Sequence, residues 1–205
     1  LGDVYKRQKD FFDTGITWSN SLNVAQMLDK SSYSISLGNT HQDGIISSTG
    51  MDRYNVKVSA DTKLTNNWSS GFTANYITTS IDKAVTSGNG LLRTVYAAPP
   101  SYDLAGIPSH VDGNQYTQNS FRGSFDNAYW AMDNNKFTED TNRFFGNVYA
   151  SYQTDFGTTN HKLNAKYMVG VDAYTTHYVD SYGYGSNTGG GRGQIENYGW
   201  TNATY

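Results

Sequence analysis

Lys162-Leu163-Asn164-Ala165-Lys166-Tyr167-Met168-Val169-Gly170-Val171-Asp172-Ala173 is the stretch that decides the fold. Leu163, Ala165, Tyr167, Val169, Val171 and Ala173 fall on one parity, and Lys162, Asn164, Lys166, Met168, Gly170 and Asp172 on the other. Successive side chains of a strand point to opposite faces, so the run reads as a strand with one apolar and one polar face. The same period-2 alternation recurs on the N-terminal side. Its apolar parity holds Ile16, Trp18, Leu22 and Val24, then Tyr33, Ile35 and Leu37, then Tyr54, Val56, Val58 and Ala60. Trp68, Phe72, Ala74 and Tyr76 follow, and then Phe144, Val148, Ala150 and Tyr152. Asn20, Ser70 and Gly146 interrupt this parity. Tyr198 and Trp200 open a further run, so the sequence predicts an all-β chain of six to seven antiparallel strands.

The connections alternate as well. Tight turns are expected near Asp29-Lys30, Thr65-Asn66-Asn67 and Asp155–Asn160, with longer links over His41–Gly50, Ile81–Thr141 and about Asp180–Ile195. Short turns at one end and long loops at the other are the signature of an outer-membrane barrel, whose strands of about ten residues cross a tilted apolar band of about 25 Å. A soluble sandwich also alternates, but it needs apolar residues on two facing sheets. Here the face opposite the apolar one is rich in Ser, Asn and Lys. Aromatic residues at the strand ends (Trp18, Tyr33, Tyr54, Trp68, Tyr76, Phe144, Tyr152) suit interfacial girdles. The residues expected to face lipid are Trp18, Leu22, Val24, Ile35, Leu37, Val56, Val58, Phe72, Ala74, Val148, Ala150, Tyr167, Val169 and Val171.

Composition agrees. In 205 residues, 15% are aromatic while only 37% are hydrophobic. Pro and Glu are too few for the usual disordered composition. Ser, Thr and Asn together make up roughly 30% of the chain, a balance that favours strands and turns. A net charge of -3 offers no electrostatic footprint for nucleic acid. The absence of Cys removes disulfide scaffolds, thiolate zinc sites and thiol catalysis. No apolar run is long enough for a membrane helix, which leaves a membrane barrel open.

Neither end reads as a natural terminus. There is no initiator Met or signal pattern, and Tyr198–Tyr205 is strand-like to its last residue. Leu1–Gln8 resembles the translation of a sequencing-library adapter and is set aside from the fold. Without it 13 basic face 17 acidic residues. The chain is therefore expected to be residues 9–205 of a partial barrel with a long extracellular loop at about 81–141.

That link carries the candidate recognition residues. Leu91–Ala98 suggests a short helix stopped by Pro99-Pro100. Tyr129 and Trp130 are the candidate ligand-binding pair, since rings among Asn and Asp suit the apolar faces and hydroxyls of sugars. The alternative is that both pack the loop onto the barrel rim. His41, His110, His161 and His177 have no metal-ligand spacing and no carboxylate motif. Asp133, Glu139 and Asp140 lack the spacing of a calcium loop and read as a hydrated loop. Gly189-Gly190-Gly191-Arg192-Gly193 opens no helix and lacks a Lys-Ser/Thr, so it reads as a flexible loop rather than a phosphate cradle. Lys57, Lys162 and Lys166 lie on the polar parity, where water in a lumen would solvate them. No catalytic, cofactor or metal residue is assigned, and the function expected is transport rather than catalysis.

A set of ordered segments carries a family resemblance. Phe11-Phe12-Asp13-Thr14-Gly15-Ile16-Thr17-Trp18 is followed by Ser32-Tyr33-Ser34-Ile35-Ser36-Leu37-Gly38-Asn39 and Gln42-Asp43-Gly44-Ile45-Ile46. Arg53-Tyr54-Asn55-Val56, Asn127-Ala128-Tyr129-Trp130 and Asn142-Arg143-Phe144-Phe145-Gly146-Asn147-Val148 complete it. Together they resemble the SusC/RagA family of TonB-linked outer-membrane transporters across most of Lys9–Tyr152. The resemblance implies a large barrel with an N-terminal plug, energised by the TonB complex and paired with a SusD-like surface lipoprotein. It also implies import of glycan or peptide fragments across the Gram-negative outer membrane. A siderophore or vitamin receptor of the same architecture is one alternative. A soluble β-rich glycoside hydrolase or adhesin is another, although no paired-carboxylate motif points to hydrolysis.

Overall fold

The computed structural model describes residues 9–84, 91–99, 101–157, 161–188 and 190–205. The adapter-like Leu1–Gln8, Pro100 and Gly189 lie outside the described residues. Among the described residues nine strands and two short helices follow one another: β1 (Thr17–Met27), β2 (Ser31–Asp43), β3 (Gly50–Lys63), β4 (Trp68–Lys83), α1 (Leu91–Ala97), β5 (His110–Val111), β6 (Asn114–Gln118), α2 (Ala128–Asn134), β7 (Lys136–Asp155), β8 (Lys162–Tyr184) and β9 (Arg192–Thr204). Seven of the strands form one open antiparallel sheet in the order β1-β2-β3-β4-β7-β8-β9, and β5 pairs with β6 in a small hairpin.

Register turns the parities of separate strands into two continuous faces. Leu22, Leu37, Val56, Tyr76, Phe144, Ala173 and Ala203 lie opposite one another in a single row across all seven strands. The next row holds Val24, Ile35, Val58, Ala74, Gly146 and Val171, and beyond it Phe72, Val148 and Val169 align. Ala150 opposes Tyr167, and Trp18 opposes His41 at the other end of the same face. All fourteen residues expected on the apolar side thus share one face, and none of them is buried. The opposite face carries a row of Asn23, Ser36, Lys57, Asn75, Phe145, Asp172 and Thr204. On it Ser34 and Ser59 share a hydrogen bond of 2.8 Å, and Tyr149 donates to Asp61 at 2.6 Å. The Tyr149 ring lies over Gly71, where a Cβ would sit 2.7 Å from the ring edge. The same Cβ would lie 2.8 Å from the Ala60 carbonyl oxygen, so glycine is what this close approach requires.

The strand ends joined after β1, β3 and β7 gather at one end of the sheet and those joined after β2, β4 and β8 at the other, although residues 158–160 of the turn expected at Asp155–Asn160 lie outside the described residues. Each short turn lies further along than the last. Ser32, closing the first hairpin, pairs with Asp61, and β3 runs on to Lys63. Ser69 pairs with Ser151, and β7 runs on to Asp155. This progressive stagger is what strands tilted against a common axis produce.

Two expectations need correction. The seven strands of the main sheet run from 11 residues in β1 to 23 in β8, beyond the ten or so expected. The long links are correspondingly shorter, because β4 continues to Lys83 and β7 already begins at Lys136. Backbone pairing outlasts the apolar alternation at the loop end of the sheet, where Thr138–Thr141 is polar on both parities.

Candidate functional site

The buried core of the molecule lies in the long connections at the loop end of the sheet rather than under the sheet. Leu91 and Val95 of α1, Leu104, and Ala128, Trp130 and Ala131 of α2 cluster with Phe11 and with Ile46 of the β2–β3 link. Helix α1 forms because Leu91 and Val95 fall one turn apart on one face, and it stops before Pro99. Helix α2 starts at Asn127, whose side chain accepts from the N–H groups of Tyr129 at 3.0 Å and Trp130 at 3.2 Å. Each large apolar side chain buried this way contributes about 1.5–3 kcal/mol to holding the connection together.

A polar latch joins this connection to the β8–β9 link. Asp126 is buried and accepts from Gln118 Nε2 at 2.6 Å, Ser186 Oγ at 2.8 Å, the Asn187 N–H at 2.6 Å and Thr188 Oγ1 at 3.1 Å. Its backbone carbonyl accepts from the Thr94 hydroxyl at 2.7 Å, which ties α1 in as well. Gln118 works in both directions, donating to the Gly185 carbonyl at 2.8 Å and accepting from the Asn127 N–H at 2.6 Å. Gly185 has φ +100 and passes so close to the Tyr116 carbonyl that a Cβ would lie 2.0 Å from its oxygen. Glycine is therefore required there on both counts.

The predicted site residues are distributed as follows. Trp130 is 1% exposed, and its indole N–H donates to the Gln115 carbonyl at 2.7 Å, so the ring anchors the connection and presents no open face. Tyr129 is half-buried with its ring edge-on to Phe11, at a centroid distance of 5.3 Å. Trp130 therefore packs inside the connection, and Tyr129 meets Phe11 while the rest of its ring stays partly exposed. Burial, with smaller contributions from Asp10, Asp13 and Asp103, raises the Tyr129 phenol above its ordinary value of 10.0. The stability carried by the neutral phenol is complete below that value and is lost as pH rises past it toward the raised one. Proteolysis within residues 101–135 should therefore accelerate above about pH 10, and Tyr129→Phe should flatten that rise.

Several surface groups find partners that spacing did not reveal. His41, exposed near the end of β2, has its Nδ1 2.8 Å from Asp52 and its Nε2 3.3 Å from Asp43, a cross-strand pairing that no sequence motif announces. Glu139 and Asp140 belong to β7, not to a hydrated loop: Glu139 pairs with Lys83 at 3.0 Å and Asp140 accepts from Ser80 at 2.6 Å. Gly190, Gly191 and Gly193 all have positive φ, and the Gly191 N–H donates to the Ser186 carbonyl at 2.7 Å. Lys57 and Lys166 do share the polar face, with Lys166 standing 4.0 Å over the Tyr149 ring centroid.

The polar face also carries a feature that sequence reasoning passed over. Tyr174, Tyr178, Tyr182 and Tyr184 all sit on even positions of β8 and so on the face of Asp172. Their common parity was visible in the sequence, but the polar residues interleaved around them hid it. Among the described residues no group of three or more His, Asp or Glu is placed to hold a metal ion. Among the same residues no helix is long and apolar enough to cross a membrane, a statement that has no bearing on strands.

The fold and its faces define a class: a mostly β chain built on a seven-stranded antiparallel open sheet, with one apolar and one polar face and a buried loop cluster at one end. Comparison adds no family to that class, because no protein-family profile matches the chain and no curated protein matches it.

Proposed function

We propose that this chain forms part of the barrel wall of a TonB-dependent importer in the Gram-negative outer membrane. The observation that carries the reading is the apolar face, continuous in register through all seven strands and left uncovered by any other part of the described chain. A soluble monomer seldom exposes a contiguous apolar patch beyond a few hundred Å², whereas hydrocarbon is the natural cover for such a face. The stagger of the turns and the gathering of long links at one end support the same reading. The SusC/RagA resemblance supplies what these residues do not: coupling to the TonB complex, a SusD-like lipoprotein partner, and glycan or peptide fragments as cargo.

Extending the reading frame tests the family. A plug domain with a TonB box upstream and a SusD-like neighbour downstream are expected, and absence of both would overturn the assignment. The isolated chain is expected to aggregate without detergent, because β1 and β9 leave two open edges beside the apolar face. A soluble monomer that unfolds cooperatively would contradict the wall reading.

A further inference from the structure

We propose that the turn end of the sheet carries a phosphate-binding cleft between Lys30 and Lys63, which takes the phosphodiester of an anionic lipid headgroup. The cleft is read from its own geometry; that its phosphate belongs to a lipid rests on the wall reading above. The turn between β1 and β2 closes short of the turn between β3 and β4. A cleft of about 290 Å³ occupies the step between them, with Lys30, Lys63, Asn66, Trp68, Ser69 and Gln153 in its lining. No Asp or Glu among the described residues lines it.

Register sets the two lysines against each other. Ser31 pairs with Thr62, and the Lys63 N–H donates to the Lys30 carbonyl at 2.7 Å, so Lys30 and Lys63 are cross-strand neighbours. Like charges opposite one another destabilise a sheet unless an anion answers them. Other cations at this end are engaged: Lys166 stands 4.0 Å over the Tyr149 ring, and Lys162 lies 3.9 Å from Asp155. Lys30 and Lys63 form no ion pair among the described residues. Asp29 and Asp61 line the neighbouring cleft, where Asp61 already accepts from Tyr149 at 2.6 Å. Two ammonium groups beside hydroxyl and amide side chains can hold a phosphate, each lysine acting as a point charge.

The cleft opens at the boundary between the two faces. Trp68, its apolar wall, belongs to the apolar parity and lies 5.0 Å from the Tyr152 ring where that face ends. In the wall reading this is the headgroup level of the periplasmic leaflet, which lysine stems reach by snorkelling. Charge then selects the headgroup. Choline and ethanolamine headgroups bring a cation of their own toward the lysines, whereas phosphatidylglycerol brings only its phosphate and two hydroxyls. Ser69 and Asn66 in the lining can answer those hydroxyls.

The test follows the urea midpoint of the full-length protein in neutral detergent as phosphatidylglycerol, phosphatidylcholine or inorganic phosphate is added. A ligand held by the folded state raises the midpoint, and the rise gives its affinity. Phosphatidylglycerol is expected to raise it for the parent and for Lys30→Arg with Lys63→Arg. Lys30→Gln with Lys63→Gln should weaken that binding by about tenfold or more, each single Gln variant should be intermediate, and Lys162→Gln should stay within about threefold of the parent. Without ligand the Gln pair should be no less stable than the parent, because the like charges are gone. A rise with inorganic phosphate as well supports the cleft and shows that the phosphate group suffices. A rise with inorganic phosphate but not with phosphatidylglycerol overturns the lipid assignment. Equal responses to the two lipids, a Gln pair that responds like the parent, or no response to phosphate or phosphatidylglycerol overturns the cleft. Protein that stays soluble without detergent contradicts the wall reading, and the phosphate titration then decides the cleft by itself.

Discussion

Val56→Arg is expected to destabilise the membrane-embedded protein by roughly 2–4 kcal/mol, the cost of a cation on the lipid face of a barrel near the bilayer midplane. Val56 lies in the apolar row between Leu37 and Tyr76, and the Tyr76 hydroxyl already donates to Asn142, so neither neighbour offers the guanidinium a counter-charge. Ser59 is three residues along the same strand on the other face, opposite Ser34 and Thr73. Ser59→Arg sacrifices the 2.8 Å bond to Ser34, a loss of about 1 kcal/mol, and places its charge toward water. Urea unfolding in lipid vesicles should separate the two variants clearly, and equal midpoints would show that the faces are wrongly assigned.

Trp130→Ala should have the largest effect outside the sheet. Removing a fully buried indole costs about 3–5 kcal/mol and leaves the Gln115 carbonyl without its donor. The loss falls on the connection between β4 and β7, because the sheet keeps its own ladder of hydrogen bonds. Limited proteolysis should therefore open residues 101–135 while the far-ultraviolet strand signal stays unchanged. Trp130→Phe keeps most of the packing and should be intermediate. Protease resistance equal to that of the parent in Trp130→Ala would mean that the cluster of Leu91, Val95 and Ala128 holds without its largest member.

Much of the sheet was legible because one physical rule governs it. A side chain's face in a strand is set by parity alone, so Leu22, Val56 and Val169 could be assigned to one side before their partners were known. The strand ends were not legible, since parity carries information only while the two faces see different solvents. At Thr138–Thr141 both parities are polar, and pairing continues without a pattern to announce it. Helix α1 was visible from Leu91, Val95 and the prolines, whereas the capping role of Asn127 was overlooked although Asn before Ala-Tyr-Trp is a recognisable start signal. The latch was beyond reach. Asp126 and Ser186 are 60 residues apart, and nothing local marks either as buried. The pairing of His41 with Asp52 likewise emerges only once the register of β2 on β3 is fixed.

Positions 56 and 57 give the most direct test of the central claim, because these neighbours are placed on opposite faces. The chain contains no cysteine, so a single Cys at either position can carry one fluorophore without background labelling within it. With the full-length protein in vesicles, a fluorophore at Val56→Cys should be quenched by brominated lipid and shielded from aqueous iodide. One at Lys57→Cys should behave the opposite way. Equal quenching of both labels by iodide, with no response to brominated lipid, would contradict a lipid-facing wall.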